Sequence, residues 1–499
     1  MAFSRTLSFF VVALGLAGSF AACSSSSTTP AGTSDDAGSK TDTQTPDPTP
    51  LAVKCDDGTE AIYAAPGDVP AEKGAIVKCS RDRAFTKDEL EALARANTYA
   101  YEGKPFVSGA RVYRVTYATE RGTVPATVGY TSALVLVPDT PVAGAPAIVA
   151  AHGTAGQAPG CTPSKVYALD SKANPYFTMT YPLVGAGYPV IVPDYAGYAN
   201  YGAANNPPSG YAATDDVGKS VLDGVRALRK LVPTLASADK AIVVGHSQGG
   251  HSALSALAIS ESYGVPLTGV ATYAPLWFNQ ATWGALLYVA NDYPLATNEF
   301  PAAVGVWYHY SHAELLDGPG HGVDPFAADK RAAIKDFFDK SCEPGGKLSA
   351  LGTTAKDLYD PAFTQAVALP SALGAGCGDT DELCKKWKAR YAASRPKLTG
   401  KAAKTPLLVL YGDKDTTIPP DRAMCAFDRL KSDGAAYQVC LTREQTHSGV
   451  VGARAGYVND WIANVALGQA APAPCAETET ALKTDKGEAV TCANPPPND

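Results

Sequence analysis

Ser247 sits in the stretch Gly245-His246-Ser247-Gln248-Gly249-Gly250, behind the apolar run Ala241-Ile242-Val243-Val244 and ahead of a small-residue stretch, Gly249 to Ser260. A serine hydroxyl is a weak nucleophile and must be exposed to both a base and a substrate. A tight turn between a buried strand and a helix does this. It pushes the hydroxyl out of the sheet, crowds the neighbouring backbone so that glycine is needed at Gly245 and Gly249, and aims the helix N-terminus at the site, where its partial positive charge suits a developing oxyanion. The base and its orienting carboxylate are expected further along the chain, in the order Ser, Asp, His. The run Leu407-Leu408-Val409-Leu410 leads into Tyr411-Gly412-Asp413-Lys414-Asp415-Thr416-Thr417-Ile418-Pro419. Asp415, three residues after Gly412 and ahead of the Ile-Pro turn, fits the orienter best, with Asp413 as the competitor. His447, in Arg443-Glu444-Gln445-Thr446-His447-Ser448-Gly449, is the only histidine after His321 and is the expected base.

The same chemistry needs two backbone donors for the oxyanion. Gln248, next to the nucleophile, supplies one. The loop His152-Gly153-Thr154-Ala155-Gly156, after the run Ala147 to Ala151, is expected to supply the other from Thr154, with His152 propping the loop. His246 is expected to pack beside the turn and His251 to lie in the first turn of the next helix. His309 and His312 stand three apart in a later segment that also holds His321, but no acidic residue is spaced to complete a metal site with them. No cofactor and no metal are expected.

These residues need a sheet to hold them. Runs at Arg111–Tyr117 and Ser132–Val137 read as an antiparallel edge. Continuous apolar runs at Ala147–Ala151, Pro189–Val192, Ala241–Val244, Val270–Tyr273 and Leu407–Leu410 read as strands covered on both faces. A last strand is expected over Ala436 to Leu441. Between them, Asp216 to Leu231 carries Val217, Val221, Val225 and Leu228 at helical spacing, and Tyr457 to Leu467 is a final amphipathic stretch. Thr86 with Glu89 forms a capping-box signature ahead of Lys87. Alternation of strands and helices predicts an α/β fold with a mostly parallel central sheet and helices on both faces. Residues 275–404 interrupt the strand order and carry Trp277, Trp283, Trp307 and Trp387, four of the chain's five tryptophans. They read as an inserted cap over the C-terminal edge of the sheet, in which some tryptophans build the cap's own core. The expected frame is 55–274 and 405–468 for the two halves of the main domain, with a disulfide-like tail over 469–499.

Upstream, Arg5 is the only charge before Asp35, and it precedes an apolar run from Leu7 to Ala17 that is too short to cross a bilayer. Residues 1–22 read as a lipoprotein-type signal peptide. Phe20-Ala21-Ala22-Cys23 is similar to a bacterial lipobox, in which Cys23 is lipidated; the alternative is an ordinary signal cleaved near Ala22. Residues 23–54 lack the apolar side chains to fold and read as a Ser/Thr/Pro tether spanning roughly 30 Å. A domain held near a membrane surface by its lipid anchor follows, with secretion as the alternative. Setting Cys23 aside leaves ten of the 11 cysteines, an even number that suits disulfides in an oxidising compartment. Sequence neighbours suggest Cys55–Cys79, Cys377–Cys384, Cys425–Cys440 and Cys475–Cys492, leaving Cys161 with Cys342, although spacing alone cannot fix connectivity.

Composition narrows the rest. Of 499 residues, 45% are apolar and 18% charged, which permits a large core. A net charge of −7 carries no nucleic-acid footprint. The sequence leaves the oligomeric state open.

The chain resembles the α/β-hydrolase superfamily and, within it, the secretory lipase family of the yeast lipase A type. The resemblance lies in Ala151-His152-Gly153-Thr154 with Cys161-Thr162-Pro163-Ser164, Pro193-Asp194-Tyr195-Ala196-Gly197, the segment Val221-Leu222-Asp223-Gly224-Val225-Arg226-Ala227, Gly245 to Gly250, the three expected catalytic residues and the inserted cap. It covers roughly residues 105 to 468. It implies hydrolysis of carboxylic esters, often acylglycerols, with Ser247, Asp415, His447, Gln248 and Thr154 in the family's roles and a cap that shapes the acyl pocket. Two readings compete with a small-molecule ester hydrolase: a serine peptidase or amidase on the same triad, for which no charged anchor for a peptide terminus is evident, and a non-catalytic surface binding protein on the same scaffold.

Overall fold

A computed structural model describes residues 51–199, 206–277, 294–368, 376–483 and 488–492. All of these belong to one compact unit, Pro48–Asp499. The expected signal peptide, Cys23 and most of the expected tether lie outside the described residues, as does Trp283.

Nine strands form one sheet: β1 (Ile76–Phe85), β2 (Ala110–Glu120), β3 (Val128–Pro138), β4 (Ala147–Ala151), β5 (Val190–Pro193), β6 (Ala241–His246), β7 (Gly269–Tyr273), β8 (Leu407–Gly412) and β9 (Tyr437–Thr442). Their spatial order is β1-β2-β3-β5-β4-β6-β7-β8-β9. The first three strands are antiparallel to their neighbours, and everything from β5 to β9 is parallel. The antiparallel edge and the run of buried parallel strands are those the apolar patterning predicts. β1 was not among the expected strands. It carries Arg81, Asp82 and Arg83 in a row of four exposed residues, with a register shift between Arg81 and Ala84, so apolar alternation does not mark it. Charges and a bulge of this kind are normal at a sheet edge.

Nine helices matter here: α1 (Lys87–Arg95), α2 (Pro175–Gly185), α3 (Thr214–Leu231), α4 (Gln248–Ile259), α5 (Leu295–Leu316), α6 (Arg331–Lys340), α7 (Glu382–Ala393), α8 (Met424–Ser432) and α9 (Gly449–Leu467). Thr86 and Glu89 close the expected capping box on α1. α9 starts eight residues earlier than its amphipathic stretch suggests. α2 gives no helical signal, because Pro175 and Pro182 flank an aromatic and threonine-rich run. All its residues from Tyr176 to Gly185 are buried, and burial overrides weak propensity.

Period-two alternation along the parallel strands sends side chains to two cores. Val149, Val243, Val270 and Val409 pack with α3, α4 and α8 on one face. Ile148, Val244, Ala271 and Leu410 pack with α2 and α9 on the other. Each fully buried valine or leucine contributes about 1.5–3 kcal/mol. Residues between β7 and β8 build a separate helical layer around Trp307, Phe337, Phe338, Tyr359, Phe363 and Trp387. Trp307 and Trp387 therefore fill the core of this layer, the expected cap, while Trp277 packs against the main core.

Five disulfides are present among the described residues. Cys55–Cys79, Cys377–Cys384 and Cys161–Cys342 pair as expected. The other two are Cys425–Cys492 and Cys440–Cys475, which corrects the expected Cys425–Cys440 and Cys475–Cys492. The reason is sidedness. Cys440 faces the α2/α9 core, whereas α8, which carries Cys425, packs its Phe427 and Leu430 into the opposite core. Proximity in sequence cannot bridge a sheet. The tail instead runs from one face, where Cys475 lies, to the other, where Leu482 and Val490 pack. On the way Leu441 of β9 donates its N–H to Glu477 O, at 2.9 Å. At the other end of the unit, Leu51 and Val53 pack against the main core, so the last residues of the expected tether are docked.

Candidate active site

β6 ends and α4 begins at Ser247, whose φ of 57° and ψ of −120° place it in a strained turn. The residue is half-buried. Its N–H donates to Tyr273 O at 3.0 Å, and its carbonyl accepts from Gly250, His251 and Leu276. A Cβ on Gly245 would overlap the Gly249 carbonyl, and one on Gly249 would overlap Ala151 O. Both glycines are thus required by close backbone approach, and the second contact presses the elbow against the end of β4.

β8 delivers Asp415. Its Oδ1 accepts from the N–H groups of Thr417 and Ile418 at 2.9 and 2.8 Å, and its Oδ2 meets His447 Nδ1 at 2.8 Å. The Asp415 side chain has no exposed surface and His447 keeps 15%. A carboxylate fixed by two backbone donors holds the imidazole with Nδ1 protonated and leaves Nε2 for other chemistry. Asp413 is directed elsewhere: its Oδ2 lies 3.4 Å from Arg443. His447 stands at the head of α9, and Gly412 packs closely against the Gln445–Thr446 backbone ahead of it.

His246 does more than pack beside the turn. Its Nε2–H donates to the His447 carbonyl at 3.0 Å, and the two rings lie 4.7 Å apart. Burial, and then the neighbouring His447, lowers its pKa to about 3, so it is neutral. The structure therefore brings His447 onto Asp415 directly and onto the elbow through His246. Among the described residues no hydrogen bond joins Ser247 Oγ to the His447 ring; such bonds are often long before substrate binds.

The loop after β4 passes alongside. A Cβ on Gly153 would sit 3.4 Å from Ser247 Cβ. Thr154 Oγ1 and Tyr211 OH are hydrogen-bonded at 2.7 Å. His152 anchors the start of the loop. Its Nδ1 lies 2.6 Å from Gly153 O and its Nε2 3.3 Å from Asp194 O, and its ring stacks on Tyr195, which donates its phenol O–H to His152 O. Burial depresses the His152 pKa to about 4. Gln248 is fully buried, and among the described residues neither end of its side-chain amide has a hydrogen-bond partner.

The remaining histidines have structural partners. His251 Nε2 meets Ser394 O at 2.7 Å. His309 contacts Gly305 O and Tyr391 OH, both at 2.7 Å, and His312 donates to Tyr211 O at 3.0 Å. Two more buried groups lie beside the site: Tyr211, which no motif marks, and Asp194, which lies in the segment Pro193 to Gly197. Tyr211 follows an ordinary Pro-Pro-Ser-Gly turn. Asp194 accepts hydrogen bonds from Ser132 and from both the hydroxyl and the N–H of Ser164, and burial still pushes its carboxyl up to about 6.

The family model described as "Alpha/beta hydrolase family" matches residues 148–439. No curated protein matches the chain. Solved structures similar to it include a Legionella pneumophila protein classed provisionally as a hydrolase, with TM-score 0.61, 17% identity and coverage of 80% of this chain and 100% of that one. A rice cell wall degrading esterase from Xanthomonas oryzae has TM-score 0.56 and 18% identity, with 80% and 97% covered. Lipase A from Candida antarctica, in its closed state, has TM-score 0.54 and 16% identity, with 82% and 86% covered. At these identities the likeness shows the fold.

Proposed function

The chain belongs to the alpha/beta hydrolase family, and from that premise we propose that it is a serine carboxylic-ester hydrolase of the lipase or esterase type. Ser247 Oγ attacks the ester carbonyl while His447 Nε2 takes its proton. Asp415 keeps the imidazole in the tautomer that allows this and stabilises the imidazolium that results. The backbone N–H groups of Gln248 and Thr154 hold the tetrahedral oxyanion. Collapse of that intermediate expels the alcohol, which leaves with the proton from His447, and Ser247 is left acylated. Water then attacks the acyl carbonyl, gives its proton to His447 and releases the acid as the proton returns to Ser247. The scheme draws on no cofactor or metal.

The observation that best supports this reading is the 2.8 Å contact between His447 Nδ1 and Asp415 Oδ2, beside an elbow whose His246 holds the His447 carbonyl. The substrates proposed are esters of apolar acyl groups, acylglycerols among them, in line with the lipase and the esterase among the structural neighbours. The proposed setting is outside the cytoplasm, with acylated Cys23 and a tether holding the enzyme at a cell-envelope membrane. Five disulfides suit an oxidising compartment. Among the described residues no helix is long and apolar enough to cross a membrane.

The test is turnover of nitrophenyl esters from acetyl to palmitoyl, with aminoacyl amides run beside them, by the native chain and by Ser247→Ala. Ester hydrolysis by the native chain should fall to background in the variant while the fold survives. Near-native activity in Ser247→Ala, or amides cleaved in preference to esters, would overturn it.

A further inference from the structure

We infer that Tyr211 is a positioning residue, which fixes the oxyanion loop at Thr154 and ties it to the cap. This rests on the proposed role of Thr154 as an oxyanion donor. Thr154 is half-buried on a loop rich in glycine, and a loop of that kind does not hold an N–H in place by itself. Its side chain is held: Thr154 Oγ1 and Tyr211 OH share a 2.7 Å hydrogen bond. The Tyr211 phenol is buried and stays neutral, because burial raises its pKa far beyond the usual tyrosine range.

Tyr211 is itself clamped. Its N–H donates to Ser311 Oγ and its carbonyl accepts from His312 Nε2, both at 3.0 Å, and its ring packs near Trp307. All three partners lie on the cap helix α5. The backbone just ahead is pinned from the main domain, where Gly210 N–H donates to Asp216 Oδ2 at 2.9 Å and Arg121 reaches Pro208 O at 2.9 Å. A second link joins the same loop to the cap further on. Cys161 is disulfide-bonded to Cys342, just past α6, and Gly156 lies against the Cys342 backbone. The loop that carries Thr154 is therefore fastened to the cap at two points, and a shift of α5 would be transmitted to the Thr154 N–H through one phenol.

A hydrogen bond that merely stabilises the fold would lower thermal stability and leave the transition state untouched. A positioning bond acts on kcat, because the oxyanion forms only during reaction. The variants are Tyr211→Phe and Thr154→Val, which keeps the backbone N–H, and the two together, each in the full chain. The readouts are kcat and KM on nitrophenyl butyrate and the inhibition constant of butylboronic acid, whose tetrahedral adduct on Ser247 places an oxygen where the oxyanion would lie. Each single variant should lose about 10- to 100-fold in kcat, as small misplacements at reacting centres do. KM should stay within about twofold, boronate binding should weaken in proportion to kcat, and the double variant should be no worse than either single one. The inference is overturned if Tyr211→Phe keeps native kcat and boronate affinity, or if the losses multiply in the double variant. If Tyr211→Phe fails to fold, Thr154→Val alone decides: a 10- to 100-fold loss in kcat with boronate affinity falling in proportion supports the inference, and native kcat and boronate affinity overturn it. A native chain that neither turns over esters nor takes a fluorophosphonate label sinks the hydrolase reading and this inference with it. An active, labelled native chain with an unaffected Tyr211→Phe sinks this inference alone.

Discussion

Two aspartates lie two residues apart beyond β8, and only Asp415 touches His447. Asp415→Asn should keep the hydrogen-bonding shape but favour the wrong imidazole tautomer, lowering kcat by about 10³–10⁴. Asp413→Asn removes one weak contact to a half-exposed Arg443 and should stay within a few-fold of native. Steady-state kinetics on one ester separates them, and equal losses in both variants would contradict the assignment. The contact of Asp415 with His447 is one the sequence leads one to expect, because the distance of Asp415 from Gly412 fits a strand-end turn. That of Tyr211 with Thr154 is not, because the two are 57 residues apart and no local pattern encodes that meeting. Gln248 offers a second test. Its buried amide has no partner among the described residues, so Gln248→Met, which keeps the backbone N–H, should leave stability unchanged or raise it by about 1 kcal/mol in urea unfolding. A loss of several kcal/mol would mean that the amide is bonded in solution.

The elements that hold the site differ in how plainly the sequence announces them. β4, β6 and β8 are short apolar runs buried on both faces, and Thr154, Ser247 and Asp415 stand just beyond their ends. β1 and α2 carry little sequence signal, for opposite reasons: one is an exposed charged edge, the other a proline-bearing helix buried all round. The segment 206–210, which leads to Tyr211, depends on a buried ion pair that pattern reading also misses. Arg121 grips Asp216 with two hydrogen bonds of 2.8 and 2.9 Å, and neither side chain is exposed by more than 1%. Burial alone would push the Asp216 carboxyl up, but the Arg121 guanidinium and the N–H groups of Gly122 and Gly210 bring it below its usual value. Arg121→Met would strand that charge and should cost about 3–5 kcal/mol. Urea unfolding measures this, and a cost under about 1 kcal/mol would mean that solvent reaches Asp216.

Across the whole molecule, five of the seven histidines are buried and held neutral: His152 and His251 with pKa lowered to about 4, and His246, His309 and His312 to about 3. Burial is the first cause in each. Unfolding restores their ordinary pKa near 6.5, so between about pH 4 and 6.5 the unfolded chain binds more protons than the native one. Stability from these groups is complete above pH 6.5 and is lost as the pH falls toward their native values. Asp194 works the other way, since its native pKa of about 6 lies above the unfolded one. These six groups together should take up on the order of four protons on unfolding near pH 5, read from NMR titration of their side chains in the native chain and in the urea-unfolded chain with disulfides intact. An uptake of one or fewer would mean that the histidines are protonated in the native protein. The tail belongs to this scale as well. Cys440–Cys475 and Cys425–Cys492 secure it on both faces of the sheet edge, a path that counting cysteines in order could not reveal, because side-chain direction decides it and spacing does not.

The central claim is that Ser247 is a nucleophile made reactive by His447. The most direct measurement is mass spectrometry of the full chain after reaction with a fluorophosphonate, followed by peptide mapping, on the native protein and on His447→Ala. One adduct per native chain, located on Ser247 and formed far more slowly without His447, is the expected result. An unmodified native protein, an adduct on another residue, or labelling of Ser247 at the same rate in both proteins would contradict it.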